Sequence, residues 1–139
     1  MHSRDTSRRT FLASSVHSLG GAWLALHLPD IQAAGAYARE ALRTGAPLAT
    51  LTAQEARVVT AMAERILPSD DGPGAREAAV TPFMDRALGS FFGFMLEPVR
   101  DGVRDLDDRA RRAHGGAPFA DLPADAQDAL LRDIETTQF

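Results

Sequence analysis

At 139 residues the chain makes one small domain at most, and its 15 basic residues, all of them arginine, stand against 19 acidic ones for a formal charge of −4. That acidity argues against nucleic-acid binding, which draws on a basic face. The absence of cysteine excludes disulfide staples, thiolate metal sites, covalent haem attachment, a cysteine nucleophile and a lipoprotein anchor. The hydrophobic fraction of 45% is carried largely by alanine, which favours helix but buries little area per residue. A domain of this size and composition points to a stabilising partner.

The chain opens Ser7-Arg8-Arg9-Thr10-Phe11-Leu12. The adjacent Arg8 and Arg9, a polar residue, and then Phe11 and Leu12 resemble the twin-arginine (Tat) export signal of bacteria. The stretch Phe11 to Leu28 that follows is weakly apolar, with His17, His27, three serines and the pair Gly20-Gly21. A membrane span needs about 20 predominantly apolar residues, and this stretch is too short and too polar. Pro29 is expected to break it. Ala34-Gly35-Ala36 then supplies a small-x-small cleavage site through Ala34 and Ala36, which puts the mature start near Tyr37. Residues 1–36 hold three arginines and two aspartates, a charge of +1, and the remainder carries −5. The expected organisation is a Tat signal peptide over 1–36, a linker over 37–50 and a helical domain over 51–139. The Tat route moves folded proteins, so a small chain with this signal and no cofactor motif is suited to carrying another subunit across.

The remaining chain is expected to be all-α, a small bundle of about four helices. Thr52 with Glu55 three residues later forms a capping-box pattern, and Leu51 and Ala56 occupy the staple positions. Val59, Met62, Ala63 and Ile66 recur at i, i+3, i+4 and i+7, which predicts a helix over about 53–67, stopped by Pro68. Residues 69–74, Ser-Asp-Asp-Gly-Pro-Gly, are a turn-rich loop. Thr81-Pro82 predicts the next helix, with Thr81 as cap and Pro82 at the first helical position. Apolar residues are dense from Phe83 to Leu96, and Gly89 and Gly93 sit four apart, a spacing that allows close packing. Pro98 predicts a further helix with Val99, Val103, Leu106, Ala110 and Ala113 as its stripe, closed by Gly115-Gly116. Its other faces mix Arg and Asp; a solvated face is the simplest reading, a phosphate or acidic-partner site the alternative. A last helix is predicted over about 124–135, with Ala126, Leu130, Leu131 and Ile134 inward.

Chemistry-bearing patterns are sparse. There is no Gly-x-Gly-x-x-Gly fingerprint and no P-loop. His114 alone remains beyond the signal, at a helix end where positive charge is welcome; a single histidine does not make a transition-metal cluster. Asp70, Asp71 and Asp85 can be grouped as carboxylates, but turn and helix-start chemistry explains them more simply, and position twelve from Asp70 is Thr81, not the glutamate of a calcium loop. No residue is assigned as nucleophile, general base or metal ligand, and none as cofactor-binding.

The string Leu51-Thr52-x-x-Glu55-Ala56, then Ala63-Glu64-Arg65-Ile66-Leu67-Pro68-Ser69-Asp70-Asp71-Gly72-Pro73-Gly74-Ala75-Arg76-Glu77-Ala78-Ala79-Val80, then Phe83-Met84-Asp85-Arg86-Ala87-Leu88, resembles the gluconate 2-dehydrogenase subunit 3 family. Phe119-Ala120-Asp121-Leu122 followed by 126–131 is similar to that family's later segment. The resemblance implies a small non-catalytic subunit of a periplasmic complex, whose large subunit is an FAD-dependent dehydrogenase of the glucose–methanol–choline type acting on a sugar, sugar acid or polyol. A multihaem cytochrome c, with its haem c, is often the third member. The small subunit is expected to supply the export signal to the Tat translocase and to support folding or assembly of the flavoprotein. The alternative is a free-standing periplasmic helical chaperone or interaction module; an enzyme in its own right has little support.

Phe91, Phe92, Phe94 and Met95 fall within five positions, and one helix cannot point all of them to one side. Leu88, Phe91, Phe92 and Met95 are therefore expected to pack internally, while Phe83 and Phe94 face the large subunit, because aromatic residues and methionine are enriched at interfaces.

Overall fold

The computed structural model describes residues 3–137, with side chains described from Gly20 onward. The side chains of Arg8, Arg9, Phe11 and Leu12 lie outside the described residues. Five helices follow one another: α1 (Ser3–Thr44), α2 (Ala53–Ile66), α3 (Val80–Leu88), α4 (Leu96–Ala113) and α5 (Ala124–Thr137), with single 3-10 turns at Gly93–Met95 and Phe119–Asp121. There is no strand among the described residues, and the all-α expectation holds. No described helix is long and apolar enough to cross a membrane.

Helix α2 begins as its pattern dictates. Thr52 Oγ1 accepts the Glu55 N–H at 3.1 Å, while Glu55 Oε2 accepts the Thr52 N–H at 2.9 Å, so two orphan donors are satisfied reciprocally. Helix α4 ends as sharply. Gly115 takes φ +63°, and the Gly116 N–H reaches back to the Arg111 carbonyl at 2.8 Å, the six-to-one bond of a Schellman turn. His114 is the C-cap of this helix.

Helix α3 departs from its expected bounds at both ends. It starts at Val80 with Ala79 as cap, not with Thr81, because the preceding turn delivers the chain early: the Val80 N–H bonds the Ala75 carbonyl at 3.0 Å and the Ala79 N–H bonds Arg76 at 2.9 Å. Ala79 is left-handed at φ +55°, a conformation that costs a non-glycine residue about 1–2 kcal/mol. Pro82 then falls third in the helix, where its missing N–H is still one of the free donors. The helix stops at Leu88 instead of running on through the phenylalanines. Gly89 lies so close to the 49–51 segment that an added Cβ would sit 2.4 Å from Thr50 Oγ1, and the Phe92 N–H turns back to the Ala87 carbonyl at 2.8 Å. Phe91, Phe92, Phe94 and Met95 therefore lie on a connector between α3 and α4 and share no helical face.

The first helix corrects two further expectations. Pro29 lies inside α1 and does not end it, and the helix runs to Thr44, so residues 37–44 are helical where a linker was expected. An interior proline costs about 3 kcal/mol or more. The helix is held on both sides of it: Trp23 and His27 lie against Phe91 and Phe92, and Ala34, Ala38 and Ala41 are buried where α1 packs on α3.

Two apolar clusters form the interior. One gathers Leu51, Val59 and Leu88; the other gathers Val58, Ala61, Leu106, Ala110, Phe119 and Leu122, with Ala126, Leu130, Leu131 and Ile134 of α5 packed against it. Val103 of α4 touches both. Arg100 of α4 ties the elements together across the surface, donating to Glu55 Oε1 and to the Thr50 carbonyl, each at 3.1 Å. Phe119 is the largest fully buried side chain. Its backbone N–H bonds buried Asp107 at 2.8 Å, and its carbonyl accepts Gln127 Nε2 at 2.9 Å. Phe119→Ala is expected to cost about 3–5 kcal/mol, read as a lower urea midpoint. A loss below about 1 kcal/mol would show that this cluster does not depend on the ring.

Candidate functional site

Asp85 sits within the apolar stripe of α3, between Thr81 and Leu88, and is fully buried. Four donors converge on its carboxylate. Oδ1 accepts the Leu51 N–H at 2.7 Å and the Thr50 N–H at 2.8 Å; Oδ2 accepts the Ala49 N–H and the Tyr37 hydroxyl, each at 3.0 Å. A carboxylate offers about four lone-pair sites, and all are used. Burial by itself pushes the Asp85 carboxyl upward, but the N–H groups of Leu51, Ala49 and Thr50 and the Tyr37 hydroxyl outweigh it, and the group titrates below the usual carboxylate range. Tyr37 is shifted the other way, upward, by burial first and then by its bond to Asp85. Arg86 lies over the Tyr37 ring at 5.9 Å.

This anchor binds three pieces of chain to one side chain: α1, the 49–51 segment and α3. Beside it lies the aromatic connector. Phe91 and Phe92 meet with tilted rings at 5.0 Å between centroids, Trp23 meets Phe92 at 5.4 Å, and His27 meets Trp23 at 4.7 Å. Phe94 touches only Phe92 within this group, at 5.8 Å, and is 72% exposed, with Met95 exposed beside it. Phe83 is half-buried on α3. Phe83 and Phe94 are thus on different elements. Leu88 is buried, but Phe91 and Phe92 are half-buried and Met95 is exposed, so the expectation of one internal face made of these four residues is corrected: Met95 left it when the helix ended at Leu88.

Ala34 is wholly buried and Ala36 exposed. Asp70 and Asp71 are exposed in their loop, and no three His, Asp or Glu side chains are placed to hold a metal among the described residues. The charges of α4 pair along the helix, Arg104 with Asp101 at 3.0 Å and Arg109 with Asp105 at 2.7 Å. A cleft of about 580 Å³ lies between α2, α3 and the 119–121 turn. The arginines of its walls are already paired, Arg76 with Glu64 across the cleft and Arg57 with Asp121 beside it. The arrangement offers anchoring and an exposed aromatic surface, and no converging acid–base pair among the described residues. Sequence reasoning missed the Tyr37–Asp85 pair; its one signal was an aspartate on an otherwise apolar helix stripe.

The family model described as gluconate 2-dehydrogenase subunit 3 matches residues 53–139, and the chain belongs to that family. No curated protein and no solved structure matches it.

Because the folded Asp85 carboxyl titrates below its ordinary value of 3.8, the stabilisation it gives is complete above that value and is lost as pH falls through the lower, folded one. Stability of the full chain is therefore expected to drop as pH falls below about 4. Asp85→Asn is expected to remove about 1–3 kcal/mol at neutral pH and to flatten the acid limb. Urea unfolding at stepped pH checks both, and an unchanged acid limb in the variant would remove Asp85 from the role.

Proposed function

We propose that the chain is the non-catalytic small subunit of an exported FAD-dependent dehydrogenase complex. It carries the complex through the Tat translocase to the periplasm and supports assembly of the flavoprotein. The match to subunit 3 over residues 53–139 carries this reading, joined to Ser7-Arg8-Arg9-Thr10-Phe11-Leu12 at the start of the chain. FAD belongs to the large subunit in this account and haem c to a cytochrome subunit; the substrate is a sugar, sugar acid or polyol. The small subunit contributes rigidity and a surface. Asp85 fixes α1, α3 and the 49–51 segment to one another, and the connector presents Phe94 and Met95 outward.

Replacing Arg8 and Arg9 by lysine is expected to strand both this chain and the large subunit in the cytoplasm, measured by fractionation and immunoblotting. A large subunit that still reaches the periplasm defeats the carrier role. Purification of the chain as a lone monomer, with no flavoprotein in association, would favour the free-standing module instead. Phe94→Ala is expected to weaken the complex about 10- to 100-fold, the equivalent of burying one phenylalanine, without shifting the unfolding of the isolated chain. Lost stability with unchanged affinity would place Phe94 in the fold and not in the interface.

A further inference from the structure

A signal peptidase needs its small-x-small segment in an extended, accessible form, and the folded chain offers residues 34–36 as helix, with Ala36 exposed but Ala34 buried. The segment is the interior of α1. Ala34 is fully buried, and Ala38 and Ala41 continue its face at 3% and 6% exposure. Tyr37, immediately after the expected cut, is bound through its hydroxyl to Asp85 at 3.0 Å. Upstream, Trp23 and His27 hold the helix against Phe91 and Phe92, with Trp23 and Phe92 centroids 5.4 Å apart. Cutting the chain requires α1 to unwind and leave α3, which breaks the Asp85 anchor and uncovers the connector.

We infer that docking of α1 on α3 closes the processing site, so that residues 20–36 stay on the folded subunit as part of its first helix. The Tat route delivers a folded substrate, which means the closed state is the one a periplasmic peptidase meets. Cleavage is then limited by the opening of α1 and not by the choice of residues at Ala34 and Ala36. This rests on the export reading only for the place where processing would occur; the closure is a property of the folded chain.

The test is limited proteolysis of the full chain, purified from the cytoplasm, by a protease that cuts after small residues, with the 34–36 cuts followed by mass spectrometry. A synthetic peptide of residues 30–44 serves as the open reference. Proteolysis of a closed segment tracks the population of its opened form, so the full chain is expected to be cut at 34–36 at least about tenfold more slowly than the peptide. Ala41→Leu overfills the α1–α3 contact without touching the scissile residues, and is expected to restore much of the peptide's rate. Tyr37→Phe, which loses one hydrogen bond, gives an intermediate rate and covers the case in which Ala41→Leu does not fold. In cells, the exported chain should retain residues 20–36 in its intact mass. A full chain cut as fast as the peptide overturns the inference, as does an exported chain beginning at Tyr37. A chain that stays in the cytoplasm defeats the export reading alone, because the protease result does not depend on translocation.

Discussion

The fold depends on one buried negative charge. Removing a carboxylate from water is among the more costly steps in folding unless its oxygens are fully satisfied, and Asp85 achieves this with three successive backbone N–H groups and one hydroxyl. Those donors have few other partners, since residues 49–51 are in neither helix nor strand and their N–H groups would otherwise be lost to solvent or left unpaired. The carboxylate thus fixes the entry to α2. Leu51 is held where it joins the apolar cluster with Val59 and Leu88, and Thr50 is held against Gly89. The same carboxylate reaches α1 through Tyr37. A single side chain sets the relation of three segments far apart in sequence, and removing it leaves several groups unpaired at once.

A second buried acid repeats the device at the other end. Asp107 accepts the Phe119 N–H at 2.8 Å and Arg111 Nε at 3.1 Å. It places the 3-10 turn whose phenylalanine fills the larger apolar cluster. In a chain rich in alanine, with little area to bury per residue, loops gain their positions from buried carboxylates as much as from packing. Such anchors supply direction, which apolar contact lacks. The cost is sensitivity to acid and an intolerance of neutral substitutes.

Helices whose ends carry local chemistry were legible in the sequence. The Thr52–Glu55 box, the Gly115-Gly116 stop and the stripes of α2 and α5 all rest on contacts within one or two turns, and the structure holds them close to where the pattern puts them. What was not legible depended on distant residues. Thr81-Pro82 is a sound start signal, but the 75–79 turn delivers the helix one residue before Thr81. The density from Phe83 to Leu96 suggests one long helix, yet Gly89 against Thr50 ends it, and nothing local announces that meeting. Residues 34, 37, 38 and 41 follow the i, i+3, i+4, i+7 stripe of a packed helix. Ala34 of that stripe also matches a small-x-small cleavage pattern with Ala36, and spacing alone does not choose between the two. The anchor was hidden for a related reason: Asp85 on an apolar face is a visible anomaly, but its partners lie 34 to 48 positions away.

These two readings of residues 34–41 meet at the aromatic connector. Phe91, Phe92, Phe94 and Met95 were forced out of helical register when α3 ended at Leu88, and a short irregular connector cannot bury four large apolar side chains by itself. A soluble monomer rarely leaves such a patch open, so each ring needs a cover. Trp23 and His27 cover Phe91 and Phe92 from the first helix, which leaves Phe94 and Met95 as the uncovered remainder. If the first helix were lost, all four would need a partner. If it stays, the partner needs to meet only two, on a surface that α1 has already shaped. The first helix is in this way part of the surface that the connector offers to a partner, and the Asp85–Tyr37 bond is what holds that helix in place.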